Sequence, residues 1–360
     1  RGATVLGSVR SHTPSAVHRL VLQRSIRRAT TLGAAALVVV IGLGALFATG
    51  VLPPGGGSED AVERVVRAGA PGTVLVEAQR DGTRVKTGSG WVLDAGRGLI
   101  VTNAHVLNGG TSFLSGTPGS LRPASVVGVA PCEDLAVLRL ARNKGLRSLP
   151  LGSQSSLALG ETVVAMGYPE NASQEASLTS TTGVVSIVRS AYREATVDVP
   201  RYPNVIQTDA AINPGGSGGP LLDLGGKLVG VNAAGRTIAT DGTIVQGQGY
   251  AIGVDRVREV TAVLRKGRSL GWLGVGFDFA KSANGGDSGL TLSSTMPATA
   301  ADRAGLRAGM TLLAVNGLPV AGSLSSYCDA VTDLPSGTDV RVTVRRPGAS
   351  EPRELAVKLQ

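Results

Sequence analysis

"QTDAAINPGGSGGPLLDLGGKLVGVN", residues 207–232, sets Ser217 between two pairs of glycines and follows it with two short apolar runs. A flexible connector would be polar and structureless on both sides. Here "TDAAI" and "PLL" flank the glycines and read as strands, so the glycines shape a turn that presents one hydroxyl. A serine hydroxyl is a weak nucleophile at neutral pH. It needs a base, a group that orients the base, and donors for the oxyanion that develops.

The base follows by elimination. The chain has three histidines; His12 and His18 precede a long apolar run, which leaves His105, in "LIVTNAHVLNGG" (99–110), for everything beyond it. A lone histidine is more often satisfied by local backbone, but two neighbours in the chain change that reading. Asp134, in "PCEDLAVLRL" (131–140), stands just before an alternating strand that buries Leu135, Val137 and Leu138. A carboxylate there can accept the imidazole Nδ1–H, fix the tautomer and stabilise the imidazolium. Strand alternation is expected to turn the adjacent Glu133 the other way. The order His105, Asp134, Ser217 is that of the chymotrypsin-type double barrel rather than of subtilisin or the α/β-hydrolases. "GGSGGP" supplies the remaining requirement, with the N–H groups of Gly215 and Ser217 as oxyanion donors.

The rest of the chain agrees with a mostly β fold. Its 360 residues suit about two domains. Aromatics make up only 3% while glycine reaches 51 residues, which favours strands and tight turns over long helices. From Gly72 to about Gly253, short apolar runs bounded by Gly, Pro, Asn, Asp or Ser predict ten to twelve strands of a barrel or sandwich. "VDRVREVTAVLRKG" (254–267) has helical spacing and a terminal glycine. Residues 270–360 then predict a small α+β unit: a strand in "GWLGVGFDF", a short helix at "ATAADRAGL", a strand in "MTLLAVNG", a helix near Ser325–Thr332 and a final strand pair.

The net charge of +9 argues for a nucleic-acid partner only if the charge is concentrated on a binding face. Residues 1–58 hold six arginines and no acid, so most of the excess sits there. Next to it, Leu32–Leu52, "LGAAALVVVIGLGALFATGVL", is uncharged and long enough to cross a hydrocarbon core of about 30 Å. Arginines on its N-terminal side stay cytoplasmic, so a type II anchor with the bulk of the chain outside the cytoplasm is expected, and no nucleic-acid partner. A cleavable signal peptide is the competing reading, although the run exceeds the usual signal core. Cys132 and Cys328 fall far apart and in different expected domains, so two free thiols are favoured over an intrachain disulfide. With so few Cys and His ligands, neither a metal site nor a cofactor is expected.

Taken together, "GSGWVLDAGRGLIVTNAHV", "DLAVLRL" and "QTDAAINPGGSGGPLLDLGGKLVGVN" resemble the HtrA (Deg) family of serine proteases, and "GWLGV" and "ADRAGLRAGMTLLAVNGLPV" resemble the PDZ domain that follows the protease in that family. The resemblance covers most of residues 61–360. It departs at Gly216, where the family usually has asparagine, and at Met310, where an acidic residue is common. Charge, hydropathy and Pro/Gly punctuation predict a basic segment over 1–28, a transmembrane helix over 29–52 and a linker over 53–60; the resemblance implies a trypsin-like protease domain over 61–266 and a PDZ domain over 267–360.

In chymotrypsin-type enzymes the floor of the primary pocket lies about six residues before the serine, here Ala211. With Ile212, and with Asn232, Ala233 and Ala234 on the facing wall, it should take small or medium aliphatic side chains; Ile212 reads equally well as core. Trp272, Leu273, Gly274 and Val275 match the loop by which a PDZ domain captures a peptide carboxylate during strand addition. Segments 186–203 and 232–249 are expected to be loops that reorder on activation. The resemblance implies an endopeptidase of protein quality control acting on unfolded or damaged proteins, C-terminal peptides as PDZ ligands, and homotrimers. A membrane-tethered, proteolytically inactive peptide-binding or chaperone-like PDZ protein is the alternative.

Overall fold

The computed structural model describes residues 58–141, 145–170, 177–192, 198–235, 245–284, 289–332 and 334–360. The expected basic segment, the expected membrane span and residues 53–57 of the expected linker lie outside them. Among the described residues no helix is long and apolar enough to cross a membrane.

Twelve strands close into two six-stranded barrels. The first contains β1 (Thr73–Arg80), β2 (Thr83–Asp94), β3 (Leu99–Thr102), β4 (Ser112–Gly116), β5 (Arg122–Ala130) and β6 (Leu135–Leu140), in the order β1-β2-β3-β6-β5-β4. The second contains β7 (Thr162–Gly167), β8 (Thr179–Tyr192), β9 (Tyr202–Thr208), β10 (Pro220–Asp223), β11 (Leu228–Gly235) and β12 (Gly249–Gly253), in the order β10-β11-β12-β9-β8-β7. Of segments 186–203 and 232–249, expected as loops, residues 186–192, 202–203, 232–235 and 249 belong to the ends of β8, β9, β11 and β12, and residues 193–197 and 236–244 lie outside the described residues.

Strand alternation accounts for how the barrels fill and how they join. In β7, Val163 and Ala165 point into the second barrel while Val164 and Met166 point into the seam between barrels. Ile100 and Leu138 fill the first barrel, whereas Leu99, Val101, Leu135 and Val137 face the same seam. Strands buried on both faces read as nearly continuous apolar runs, which is how "LIVT" and "LAVLRL" appear. Two helices seal the seam. Helix α1 (Ser58–Gly69), which starts three residues inside the expected linker, inserts Val65. Between β3 and β4 lies a single turn of helix, α2 (Ala104–Leu107), and after β12 comes α3 (Val254–Leu264), which buries Val257, Val260 and Leu264 at the i, i+3, i+7 spacing of one helix face.

A third sheet has its own core. It comprises β13 (Val275–Asp278), β14 (Leu290–Thr295), β15 (Thr311–Val315), β16 (Leu318–Pro319), β17 (Asp339–Arg345) and β18 (Arg353–Lys358), in the order β13-β14-β15-β17-β18 with β16 beside β15. Helices α4 (Phe279–Asn284), α5 (Ala300–Arg303) and α6 (Leu324–Val331) accompany it. The sequence reading missed β14, β16 and α4, all short and without a long period. Met310 lies buried in this core.

One expectation is overturned. Cys132 and Cys328 form a disulfide across 196 residues, with their Cα atoms 5.5 Å apart, and there is no free cysteine among the described residues. Distance in sequence misled: the turn before β6 and helix α6 meet where the third sheet docks on the first barrel, so residues of different domains become neighbours.

Candidate active site

Asp134 lies between the barrels at the end of a 3-10 turn, Pro131–Glu133, rather than on a strand. Its backbone is left-handed, with φ 51° and ψ 40°. Aspartate tolerates that region better than most residues, and the turn aims its carboxylate back at α2. The carboxylate is 1% exposed and meets three donors: the His105 backbone N–H on Oδ1 at 2.9 Å, and His105 Nδ1 and the Tyr202 hydroxyl on Oδ2, each at 2.8 Å. Asn103, fully buried at the start of α2, donates Nδ2 to the Asp134 carbonyl at 2.8 Å. Backbone and side chain of His105 are thus both held by one carboxylate, which leaves Nε2 as the outward nitrogen. Glu133 does point elsewhere, but the cause is the 3-10 turn and not strand alternation. It accepts from Nε of Arg256 on α3 at 2.9 Å, and that hydrogen bond pushes the pKa of the Arg256 guanidinium above its usual value.

Ser217 sits in the turn between β9 and β10, pressed against the first barrel. Its carbonyl accepts from Ser89 N–H at 2.8 Å, and the next residue, Gly218, is left-handed at φ 85°. A Cβ on Gly218 would lie 2.2 Å from the Ser89 carbonyl, 2.4 Å from Thr102 Oγ1 and 3.0 Å from Asn103 N, so glycine is required there. That contact sets the serine turn against the residues that lead into His105. The Ser217 hydroxyl donates to the Ala233 carbonyl at 3.3 Å, and among the described residues it has no hydrogen bond to His105.

The neighbouring peptides are fixed in a definite sense. The Pro214 carbonyl accepts from Glu170 N–H at 3.1 Å, and the Gly215 carbonyl from Ser89 Oγ at 2.7 Å. In a trans peptide the N–H points opposite the carbonyl, so the Gly215 N–H faces away from Glu170. Gly216 N–H donates to Asn213 O at 2.8 Å and Gly218 N–H to Asn232 O at 2.8 Å. The alternate pair, Gly215 N–H and Ser217 N–H, has no acceptor among the described residues. Gly216 is thus an ordinary member of a closed turn.

Ala211, Ile212 and Asn232 line one cavity beside this turn, together with Tyr168, Thr179, Thr181 and Pro214. Among the described residues no charged side chain lines it. Ile212 also packs on the second barrel's core. Asn232 ties β7 to β10, donating Nδ2 to Met166 O at 3.2 Å and Pro220 O at 3.3 Å. Ala233 is buried and contributes its carbonyl, while the side chain of Ala234 lies outside the description.

In the third sheet, β13 is one of the edge strands, and a groove runs between it and α6. Gly274, left-handed at φ 83°, and Val275 open that groove, whereas Leu273 is fully buried in the core and Trp272 packs against the first barrel. His105 and Asn108 line the groove from the protease side. Phe277 N–H donates to Asn108 Oδ1 at 2.8 Å, and Asn108 Nδ2 donates to Phe277 O at 2.9 Å. The Asn108 amide therefore makes on the β13 edge the pair of bonds that an added strand would make.

With this geometry in hand, comparison with known proteins becomes informative. A trypsin-like peptidase domain matches residues 88–231 and a PDZ domain residues 292–346. The chain is 33% identical over 270 residues to the periplasmic serine endoprotease DegP of Salmonella typhimurium, covering 72% of this chain and 54% of DegP. It is 32% identical over 313 residues to the serine protease PepD of Mycobacterium tuberculosis, covering 82% and 64%. The chain belongs to the HtrA/DegP family of trypsin-like peptidases with a PDZ domain. It spans about half the length of the DegP relatives it matches. A crystal structure of the serine endoprotease from Yersinia pestis aligns over 82% of this chain and 96% of its own, at 27% identity and a TM-score of 0.48.

Four residues that shape this HtrA/DegP site escaped the sequence reading. Ser89, fully buried, binds the serine turn through its N–H and Oγ and also accepts from Thr102 Oγ1 at 2.7 Å and Tyr168 N–H at 2.8 Å through its carbonyl and hydroxyl. Tyr202 and Asn103 hold Asp134, and Asn108 holds β13. Ser89 lies inside a quoted motif as a polar residue in an apolar strand, and Asn103 as a polar residue directly after one; those were the available signals. Tyr202 and Asn108 carried none, because their partners are 68 and 169 residues away.

Proposed function

We propose that this chain is a serine endopeptidase of protein quality control, with Ser217 as nucleophile, His105 as general base and Asp134 as the carboxylate that orients it. The observation that carries the reading is the pairing of the buried Asp134 carboxylate with His105 Nδ1 at 2.8 Å, beside a serine turn whose Gly215 and Ser217 N–H groups are unused among the described residues. Rotation of the Ser217 hydroxyl from Ala233 O toward Nε2 lets the imidazole take its proton as Oγ attacks the scissile carbonyl. The two free N–H groups then receive the oxyanion. His105 returns the proton to the leaving amine, and water repeats the sequence on the acyl-enzyme. Small or medium aliphatic side chains suit the uncharged cavity near Ala211.

Substrates of this reading are unfolded or damaged proteins, the PDZ groove takes C-terminal peptides, and an N-terminal helix over 29–52 anchors the enzyme with both domains outside the cytoplasm. A homotrimer is part of the same proposal. The test is cleavage of unfolded casein by the full chain beside Ser217→Ala. Loss of cleavage in the variant supports the reading, and equal cleavage by both overturns it. Extraction of the full chain from membranes by alkaline carbonate would overturn the anchor.

A further inference from the structure

Cys132 is the middle residue of the 3-10 turn that ends at Asp134, and Cys328 lies on α6, one helical turn beyond Leu324, which lines the PDZ groove. The disulfide therefore staples one wall of the groove to the protease domain. Both cysteines are only partly buried, and both line an open surface cavity with Arg201, Tyr202 and Asp329. Each domain has a separate apolar core, and the two cysteines touch only the margin of the PDZ core. Neither core is built around the bond.

Next to the chain connection, Leu270 packs on the protease core and its N–H donates to Val129 O at 3.0 Å, while the Ser269 hydroxyl accepts from Val129 N–H at 3.1 Å; the ties nearer the groove are fewer. Asn108 makes its two bonds to Phe277, Arg80 donates to Ser293 O at 2.7 Å, and Trp272 and Met296 rest on the first barrel. Arg201 pairs with Asp329 at 2.9 Å, but both side chains are about half exposed, where ion pairs are weak. The same docking blocks the groove. Asn108 occupies the free N–H and carbonyl of Phe277, and a Cβ on Gly276 would lie 2.7 Å from Gly109 N, so the 108–110 segment lies directly against β13. A peptide cannot add to that edge until the domains part.

We propose that the Cys132–Cys328 disulfide is a thiol-exchange site that keeps the PDZ groove closed, and that a dithiol reductant opens it to a peptide C-terminus. The inference rests on the peptide-binding reading of the groove given above. In the exchange, a thiolate of the reductant attacks one cysteine sulfur and the other cysteine leaves as a thiolate and takes a proton. The second thiol of the reductant then displaces the first protein cysteine from the mixed disulfide. Two electrons pass to the protein, which ends as a dithiol, and the reductant ends as a disulfide. Because apparent affinity scales with the fraction of molecules whose groove is open, reduction should tighten peptide binding without changing the groove itself.

The test uses the full chain carrying Ser217→Ala, so that the probe is not cleaved, and a fluorescein-labelled hexapeptide with a free C-terminal valine, followed by anisotropy. The expected result is binding at least tenfold tighter after reduction with dithiothreitol than in the oxidised protein. Cys328→Ser should bind like the reduced form without reductant, and Asn108→Ala in the oxidised protein should fall between. If Cys328→Ser does not fold by circular dichroism, the reduced protein capped with iodoacetamide replaces it. Affinities within twofold in the oxidised and reduced or capped protein overturn the proposal, as does a mass showing two free thiols after air oxidation. Absence of peptide binding in every state overturns both the latch and the peptide reading of the groove. Redox-dependent binding in a chain whose Ser217 form does not cleave casein supports the latch and overturns only the peptidase reading.

Discussion

Gly218→Ala offers a strict test of how the two halves of the site are joined. The residue is left-handed at φ 85°, and an added methyl would sit 2.2 Å from the Ser89 carbonyl oxygen and 2.4 Å from Thr102 Oγ1. A comfortable carbon–oxygen contact is roughly 3.3 Å, so the serine turn or the Ser89–Thr102 pair must retreat by about 1 Å. The left-handed backbone costs an alanine about 1–2 kcal/mol. Forced displacement in a packed region adds about 1–3 kcal/mol. At roughly 2–4 °C per kcal/mol, the melting temperature should fall by about 4–20 °C. The retreat also separates Ser217 from the segment that carries His105, and a misplacement of about 1 Å can lower turnover on the order of 100-fold. Gly226→Ala is the control. That glycine is left-handed too, at φ 73°, but an added Cβ there would meet nothing within 4 Å. It should lose only the backbone contribution of about 1–2 kcal/mol and keep its activity within twofold. Thermal denaturation followed by circular dichroism, and kcat/KM on a fluorogenic peptide, measure both variants. The reasoning is refuted if Gly218→Ala keeps activity within threefold and melts no lower than Gly226→Ala.

Three further substitutions probe the same site. Asp134→Asn leaves one oxygen where two now accept from three donors, so its amide must face either the His105 backbone N–H or the His105 Nδ1 and Tyr202 hydroxyl together; kcat should fall by roughly 10³–10⁴-fold in a folded protein, and a loss below tenfold would count against the triad. Tyr202→Phe removes one donor from that carboxylate, a bond of about 1.5–3 kcal/mol when the acceptor is charged. If even the lower part of that range reaches the transition state, kcat drops about tenfold with KM unchanged, whereas unaltered kcat would make Tyr202 structural only. Gly216→Asn restores the residue usual in the resembled family; the new Cβ meets only the Asn213 backbone, its O at 3.0 Å and its N at 3.8 Å, and the φ of Gly216 is not left-handed, so activity should stay within about fivefold by the same peptide assay.

The sequence was most informative where function demanded a local pattern. Nearly continuous apolar runs such as "LAVLRL" announced strands buried on both faces, and the barrels hold the twelve strands that the upper end of the count expected. The glycines about Ser217 declared a tight turn because only glycine accepts φ 85° against the Ser89 carbonyl. His105 needed no pattern at all, being the one imidazole left after the N-terminal pair was set aside. Asp134 was found by its place before β6, but the reason offered for Glu133 failed, since a 3-10 turn and a left-handed residue leave no trace of period two.

The features that stayed hidden share a cause that is topological rather than chemical. The partners Cys132 and Cys328, Asn108 and Phe277, and Arg201 and Asp329 each join the protease to the PDZ domain, across 196, 169 and 128 residues. A local periodicity describes how a segment meets its own core and carries nothing about which surface another domain will cover. Counting Cys132 and Cys328 as free thiols followed from treating the domains as independent. Their docking reverses that inference and gives Asn108 a role no asparagine in a turn would suggest, since a side-chain amide placed at a strand edge reproduces the donor and acceptor of a peptide. The exchange of that one amide for a peptide backbone costs nearly the same bonds it restores. Whether the groove opens is therefore decided by the few remaining ties between the domains, among which the disulfide alone is covalent.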